Sequence, residues 1–263
     1  MTRIFFASLL AAILTATPAL ADGHAAEWQI NFQNAASTSA ERIQNFHNFM
    51  LWIITAIVIF VMALLLYVML RFNRRANPNP SQTTHNVLLE IIWTVIPIVI
   101  LIIIAVPSFQ LLYYTDRTAE PDMTLKVTGY QWYWGYEYPD QNGINFQSYM
   151  IPDKDIDTSK GQLRLLSTDN PIVLPVDTNI QILTTAADVI HSFAVPALGV
   201  KIDAMPGHTN ETWVRITKPG TYFGQCSELC GKDHAYMPIE IRAVPKEEFN
   251  AWVDKMKGGE TKT

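Results

Sequence analysis

The sequence predicts a two-helix transmembrane hairpin followed by an all-β sandwich domain. Three observations support this fold class: two long uncharged apolar stretches, a more acidic second half built of short apolar runs, and a charged fraction of 16%. Soluble domains usually carry about 25% charged residues. The mean hydropathy of the 263-residue chain is only +0.11, too low for a chain embedded in a membrane throughout. A net charge of -5 argues against nucleic acid as a partner.

Residues 1–21 have the pattern of a secretory signal peptide. Arg3 supplies the positive charge, and Ile4 to Leu14 form the short apolar stretch. Ala19-Leu20-Ala21 is a small-x-small cleavage site. A first membrane helix is the alternative, but the stretch is short and Pro18 interrupts it. We therefore expect cleavage after Ala21 and export across the inner membrane of a bacterium.

Two later stretches are long enough to cross a bilayer, which takes about 20 apolar residues. They run over residues 49–70 and 91–112, and neither contains a charged residue. Three arginines and no acidic residue lie in the connection before Glu90. Positive charge marks the cytoplasmic side of a membrane. The hairpin therefore has both outer ends in the periplasm, which predicts that both mature termini are periplasmic.

From Thr118 onward the chain contains 19 acidic and 13 basic residues, a net charge of -6. Short β-rich runs alternate there with Pro, Gly, Asn and Asp, which is typical of an antiparallel sandwich. The predicted strands are Leu125–Val127, Leu163–Leu166, Ile172–Pro175, Ile180–Leu183, Thr212–Ile216 and Ile239–Val244. Only the tail, Lys246–Lys257, has helical spacing. We therefore divide the mature chain into an N-terminal helical segment, residues 22–117, and a periplasmic domain, residues 118–263.

The two cysteines belong to one motif. Cys226 and Cys230 are followed by His234 and Met237 in the spacing Cys-x3-Cys-x3-His-x2-Met, and His191 lies 35 residues upstream of the first cysteine. Two cysteines exclude a four-cysteine zinc or iron–sulfur site within this chain. Thiolate, imidazole and thioether ligands together favour copper, and a His2Cys group with a weak axial Met is typical of electron-transfer copper sites.

The second cysteine indicates a dinuclear site. A mononuclear electron-transfer copper site needs only one thiolate. Two thiolates can bridge two copper ions, each of which takes one imidazole. The weak axial positions then fall to Met237 on one ion and to a backbone carbonyl on the other. Such a site suits fast electron transfer and has no open position for a substrate.

Three other interpretations compete with copper. A Cys226–Cys230 disulfide is the usual state of two nearby exported cysteines, but it leaves the two histidines and the methionine unexplained. A thioredoxin-like redox pair requires two intervening residues, whereas this chain has three. A structural zinc site could use Cys2His2 ligands, but Met237 would then have no function.

The loop Cys226–Met237, together with His191, resembles the dinuclear CuA site of subunit II of the haem-copper cytochrome c oxidases. The resemblance covers nearly all of the mature chain, including the hairpin and the segments Leu89–Thr94, Gln131–Tyr138 and Ser148–Pro152. It implies a cupredoxin-like Greek-key sandwich that receives electrons from cytochrome c at two copper ions. The electrons would pass to haem a in the catalytic partner, subunit I, where oxygen is reduced to water and protons are pumped.

The resemblance also implies roles for individual residues. The copper ligands would be His191, Cys226, the carbonyl of Glu228, Cys230, His234 and Met237. The Glu228 side chain would help bind a magnesium ion shared with subunit I. Trp132 would accept electrons, and Glu90 would stand at the mouth of a proton pathway. Glu137, Asp169 and Asp188 would dock cytochrome c, although Gln147 stands where many relatives carry an acid.

Simpler interpretations remain open for several of these residues. The aromatic run around Trp132 is typical of sheet packing. Snorkelling of the Glu90 side chain to the membrane interface would explain that residue without a function. Each of the acidic residues proposed for docking could be an ordinary solvated charge. His85 could join Glu90 in proton uptake or in binding inhibitory zinc, and His208 could face subunit I. Besides subunit I, the implied partners are other oxidase subunits and membrane lipid.

Two other functions are less consistent with the sequence. Quinol-oxidase relatives of this subunit lack the copper ligands, and all of these ligands are present here. A periplasmic copper-delivery module would leave the hairpin, Glu90 and Trp132 without a purpose. A fused cytochrome c is excluded within this chain because the sequence contains no Cys-x-x-Cys-His.

Overall fold

The computed structural model describes residues 23–116 and 120–258. The predicted signal peptide, its cleavage site and the predicted boundary at Thr118 therefore lie outside the described residues. Internal contacts divide the chain into a helical unit, Arg42–Arg117, and a second unit that combines the residues up to Glu41 with those from Thr118 onward. The domain limits inferred from the sequence stay a prediction.

Two long helices, α1 (Thr38–Arg71) and α2 (Val87–Asp116), supply the helical unit, and only the first four residues of α1 belong to the second unit. Both are long and apolar enough to cross a membrane. Each begins earlier than its predicted span because a polar side chain caps it. The Ser37 hydroxyl accepts a hydrogen bond from the Ala40 N–H at 3.0 Å, and the Asn86 side chain accepts one from the Leu89 N–H at 3.2 Å.

Ten strands form the second unit, and a short helix follows them. They are β1 (Met123–Tyr130), β2 (Tyr133–Tyr138), β3 (Ile144–Ser148), β4 (Ile172–Pro175), β5 (Ile180–Ala186), β6 (His191–Val195), β7 (Val200–Ala204), β8 (Asn210–Val214), β9 (Gly220–Cys226) and β10 (Pro238–Val244), with α3 (Lys246–Lys257) at the end. The first sheet has the order β3-β2-β1-β5-β8 and the second β4-β10-β9-β6-β7. Only β1 with β5 and β4 with β10 are parallel pairs among the described strands. The predicted sandwich is confirmed.

The core of the sandwich follows from the alternation of its strands. Along β1 and β5, every second residue is buried, which places Leu125, Val127, Ile180 and Ile182 on the inner face. Tyr138 ties β2 to β4, because its hydroxyl donates to the Val173 carbonyl at 3.0 Å and accepts from the Val173 N–H at 3.1 Å. These two hydrogen bonds link the two sheets next to the buried aromatic side chains.

One predicted strand is wrong. Leu163–Leu166 forms a turn in which the Leu166 N–H donates to the Leu163 carbonyl at 3.2 Å, and Leu165 has a positive φ of 65°. The side chain of Ser167 also accepts the Leu163 N–H at 2.9 Å, so side-chain bonding closes the turn. The other predicted strands are present, with small shifts of their ends.

Candidate metal centre

The second sheet brings the predicted ligands to one end of the sandwich. His191 is the first residue of β6, and Cys226 is the last residue of β9. The two strands are antiparallel neighbours, with Phe193 opposite Cys226. The loop that follows β9 carries the remaining donors and returns to the sheet at Pro238, the first residue of β10. Ligands separated by up to 46 positions are therefore neighbours in space.

Each cysteine sulfur lies beside one imidazole. The Cys226 Sγ is 3.8 Å from the His191 Nδ1, and the Cys230 Sγ is 3.4 Å from the His234 Nδ1. The Met237 Sδ lies 3.5 Å from the Cys230 Sγ. The two Sγ atoms are 3.9 Å apart, almost twice the roughly 2.05 Å of a disulfide. Both thiols are free and buried.

These separations fit donors that share a metal ion. Metal–sulfur and metal–nitrogen bonds of about 2.0–2.3 Å with near-tetrahedral angles place two donors about 3.5 Å apart. His191 is fully buried and Met237 is 1% exposed, so water has little access to the donors. The set contains two thiolates, two imidazoles and a thioether. Copper prefers soft ligands of this kind.

The two thiols differ in their readiness to ionise. Burial opposes ionisation of Cys226, but hydrogen bonds from His191 and from backbone groups outweigh it and lower the pKa of this thiol. Burial and the neighbouring Cys226 together raise the pKa of Cys230. One sulfur is therefore ready to bind as a thiolate, whereas the second must lose its proton as the metal charge arrives, because metal binding and proton release are coupled.

Asp188 holds the buried histidine in place. Its Oδ1 lies 2.9 Å from the His191 Nε2, which is the ring nitrogen that faces away from the Cys226 sulfur. Its Oδ2 accepts the Gln131 N–H at 2.7 Å. Hydrogen bonds to the second nitrogen of a metal-binding histidine fix its tautomer and orientation. The same carboxylate therefore links His191 to the loop between β1 and β2.

That loop also contacts the second cysteine. The Trp132 Nε1 donates to the Cys230 carbonyl at 3.2 Å, and the Gln131 Nε2 donates to the same oxygen at 2.8 Å. A Cβ at Gly231 would lie 2.9 Å from the Trp132 ring, and Gly231 has a φ of 127°. The glycine therefore lets the half-buried indole lie directly against the cysteine loop.

Trp134 supports the cluster from inside the core. Its Nε1 donates to the Met237 carbonyl at 3.2 Å, and its ring meets the His191 ring edge-on at 5.9 Å between centroids. Gly129 is needed for the same close packing, because a Cβ there would lie 2.7 Å from the His191 ring.

The other predicted site residues lie around the cluster or in the helical unit. The carbonyl of Glu228 is 3.3 Å from the Cys226 Sγ, and its side chain is exposed. Glu137 pairs with Lys126 at 3.1 Å. The Asp169 Oδ1 accepts the Tyr149 N–H at 2.8 Å. Glu90 lies in the first turn of α2.

Sequence reasoning missed the second layer of the site. The sequence does not predict the contact of Gln131 with Cys230 or that of Trp134 with Met237, and it predicts Asp188 as a docking residue and not as a partner of His191. The spacing of Asp188 three residues before His191 was the available signal for their contact.

The fold and the cluster define a membrane-anchored protein with a cupredoxin-like domain. The family described as cytochrome c oxidase subunit II, periplasmic domain, matches residues 123–244, and the corresponding transmembrane domain matches residues 25–111. The chain is 58% identical over 226 residues to a probable cytochrome c oxidase subunit 2 of Rickettsia prowazekii, covering 86% of this chain and 72% of the relative. The chain belongs to the cytochrome c oxidase subunit II family.

Two further relatives extend the comparison. Cytochrome c oxidase subunit 2 of Oenothera berteroana is 45% identical over 246 residues, covering 91% of this chain and 94% of the relative. The crystal structure of the periplasmic domain of subunit II of cytochrome oxidase of Bradyrhizobium japonicum is 52% identical, with a TM-score of 0.51, and covers 55% of this chain and 100% of that chain. The protein is therefore a membrane-bound oxidase subunit with a periplasmic domain, and its partners are other subunits of the oxidase.

Proposed function

We propose that this chain accepts electrons from a cytochrome c at a dinuclear copper centre. It passes them to haem a of subunit I, where oxygen is reduced to water and protons are pumped. The observation that carries the proposal is the pairing in the cluster. Two sulfurs lie 3.9 Å apart, and each has its own imidazole nitrogen within 3.8 Å. Two bridging thiolates with one imidazole for each ion require this arrangement.

The proposed ligand set contains six donors. It comprises His191, Cys226, the carbonyl of Glu228, Cys230, His234 and Met237. Bound copper supplies a one-electron carrier that changes its charge with little movement of its ligands. The exposed Glu228 side chain points to a second role, because a carboxylate suits the magnesium ion that we propose is shared with subunit I.

Trp132 is the proposed electron acceptor of the chain. Its indole is half-buried, and it lies one hydrogen bond from the backbone of Cys230. A flat aromatic surface at this position gives a donor protein both a contact area and a short covalent and hydrogen-bonded path to a ligand. Gln131 bonds the same carbonyl and so holds the loop that presents the indole.

The donor docks through opposite charge. The second unit is acidic, and we propose Glu137, Asp169 and Asp188 as docking carboxylates for a basic cytochrome c. In the structure, each of the three already accepts a hydrogen bond or an ion pair from its own domain. Their contribution to docking therefore adds to a structural role.

The hairpin anchors the chain with the copper domain and both mature termini on the periplasmic side. The arginine-rich connection between α1 and α2 faces the cytoplasm, as the positive charge requires. Glu90 then lies near the cytoplasmic face, where we propose that it stands at the mouth of a proton pathway of subunit I. Ionisable side chains in membrane-spanning segments are costly and therefore rare, which supports a functional role for Glu90.

Electron paramagnetic resonance of the purified oxidase tests the proposal. The unchanged protein should bind two copper ions in this subunit and show the mixed-valence signal of one electron hole shared by both. Cys226→Ser removes one bridge and should abolish the shared signal. Ser227→Ala, a change at the adjacent position, is the matched control and should retain it. A mixed-valence signal that survives in Cys226→Ser would refute the dinuclear assignment.

A further inference from the structure

A lysine lies over the indole that we propose as the electron acceptor. The Nζ of Lys232 is 5.6 Å from the centroid of the Trp132 ring, which is within the range of a cation–π contact. The Lys232 side chain is 77% exposed, and the indole is half-buried. A donor protein that contacts the indole therefore meets a positive charge beside it.

The backbone holds this lysine at the tip of the cysteine loop. The His234 N–H donates to the Gly231 carbonyl at 3.3 Å, which closes a turn over residues 231–234. Lys232 and Asp233 are the two central residues of this turn. Gly231 packs against the indole, since a Cβ on it would lie 2.9 Å from the Trp132 ring. The turn therefore sets the position of the lysine relative to the indole.

The neighbouring carboxylate of Asp233 holds Lys232 only weakly. Its Oδ2 is 3.7 Å from the Lys232 Nζ, and the Asp233 side chain is 42% exposed. Ion pairs this exposed to water contribute little, and salt screens them. The pair therefore leaves Lys232 able to interact with a charge on a docked protein.

A charge of the opposite sign adjoins the indole through the loop between β1 and β2. Asp188 accepts the N–H of Gln131, the residue before Trp132, at 2.7 Å, and the Asp188 side chain is 33% exposed. The indole is therefore bordered by one negative and one positive charge. A donor that is basic all around its contact surface is attracted by Asp188 and repelled by Lys232.

We propose that Lys232 is a specificity-determining residue that selects the electron donor by charge. A cytochrome c with an acidic or uncharged side chain opposite Lys232 is accepted faster than one that is basic around the whole edge of its haem, because like charges brought together at a contact are unfavourable. The inference rests on the proposed function, with Trp132 as the electron acceptor. It adds a repulsive element to an acidic domain, and repulsion of a wrong partner is a common source of specificity.

Oxidation of cytochrome c by the purified oxidase at low salt tests the charge of Lys232. The probe is a cytochrome c with lysines around its haem edge. We expect Lys232→Gln to raise kcat/KM about threefold and Lys232→Glu to raise it further, since a charge at the edge of a contact acts mainly on the association rate. Lys232→Arg keeps the charge and should show no such gain.

Lys246→Gln is the matched control for net charge. Lys246 is exposed and lies just beyond the end of β10. The strand from Pro238 to Val244 is about 20 Å long, and the cluster lies at its other end. This variant should therefore leave kcat/KM nearly unchanged. Reduction by a small uncharged reductant should be the same in all variants, which excludes an effect on the copper itself.

A set of donor variants identifies the group that faces Lys232. Each variant replaces one haem-edge lysine of the cytochrome by glutamate. At one position at least, the glutamate should lower kcat/KM less with the unchanged oxidase than with Lys232→Glu.

Three results would overturn the role of Lys232: no gain in Lys232→Gln and Lys232→Glu, an equal gain in Lys246→Gln, or donor variants that do not distinguish Lys232→Glu from the unchanged oxidase. Each of them leaves electron transfer from cytochrome c intact. No oxidation of any cytochrome c by the unchanged oxidase would instead refute the proposed function, and this inference with it.

Discussion

Asp188 shows how one carboxylate connects two functions of the site. It contacts the His191 ring on one oxygen and the backbone of Gln131 on the other. These bonds outweigh the effect of burial and lower the pKa of Asp188. The carboxylate is therefore charged in the folded protein, and it orients the buried His191 ring as well as the loop that carries Trp132.

Replacing this carboxylate should weaken copper binding. Second-layer partners of a metal-binding histidine usually contribute about 10- to 100-fold to metal affinity, and we expect a loss of this size for Asp188→Ala. Competition with a copper chelator on the purified subunit measures it. Asp169→Ala is the matched control, because it also removes a predicted docking carboxylate but does not contact a ligand. Equal copper affinity in the two variants would contradict the positioning role.

Trp132→Ala should slow electron transfer from cytochrome c while copper stays bound. The indole contacts the Cys230 carbonyl from outside, so its loss removes the path and not a ligand. We expect a fall of at least about tenfold in kcat/KM, equivalent to about 1.4 kcal/mol in the transition state. Stopped-flow reduction by cytochrome c measures the rate, and copper analysis checks the metal content. Trp132→Phe, which keeps a flat ring, should fall less, and an unchanged rate in Trp132→Ala would exclude the role.

The clustering of the sulfur and imidazole donors could be predicted from the sequence because soft ligands are rare and their spacing is specific. The hydrogen bonds around them could not. Gln131 contacts Cys230 across 99 positions, and nothing local in the sequence marks a long-range contact between a side-chain amide and a backbone carbonyl.

At the scale of elements, β9 is the strand on which the site depends most. It is the middle strand of the second sheet and ends in Cys226. Gly224 of β9 packs directly against β6, because a Cβ at this position would be 2.0 Å from the Ala194 carbonyl oxygen. The approach of the two strands that carry Cys226 and His191 therefore depends on a glycine.

Gly224→Ala should push β6 and β9 apart. Overpacking of a buried site typically costs about 1–3 kcal/mol, and we expect a decrease of this size in the free energy of unfolding, together with weaker copper binding. Urea unfolding of the purified subunit measures the first effect. Gly258→Ala is the control, because its φ is −73° and its nearest neighbour would be 3.5 Å away. Similar stability of the two variants would mean that the sheet adapts to the added methyl group.

The elements themselves were predictable to different degrees. The two membrane-spanning helices follow directly from uncharged stretches longer than a bilayer, whereas the strands depend on partners. β2 is rich in aromatic residues and β6 is buried on both faces, so neither shows the short aliphatic run that predicts a strand. The strand predicted at Leu163–Leu166 is the opposite case, a predicted strand that is not present. This apolar run forms a turn that Ser167 closes.

At the scale of the whole molecule, charge is concentrated in the unit that carries the cluster, which has a net charge of -6 from Thr118 onward. Charged surfaces steer association, and the effect weakens as the Debye length falls from about 30 Å at 0.01 M to about 8 Å at 0.15 M salt. We therefore expect kcat/KM with a basic cytochrome c to fall as salt rises. A small uncharged reductant is the control and should show no such dependence. A rate with cytochrome c that is independent of salt would exclude electrostatic steering.

The central position of β9 also has a consequence for the stability of the proposed copper site. The middle strand of a sheet exchanges its amide hydrogens only when much of the domain unfolds, whereas edge strands and loops open locally. His191 and Cys226 belong to the two adjacent inner strands, while Cys230, His234 and Met237 lie in the loop that follows. We therefore expect the proposed loop donors to detach from a bound metal in local fluctuations more readily than His191 and Cys226, whose strands open less often.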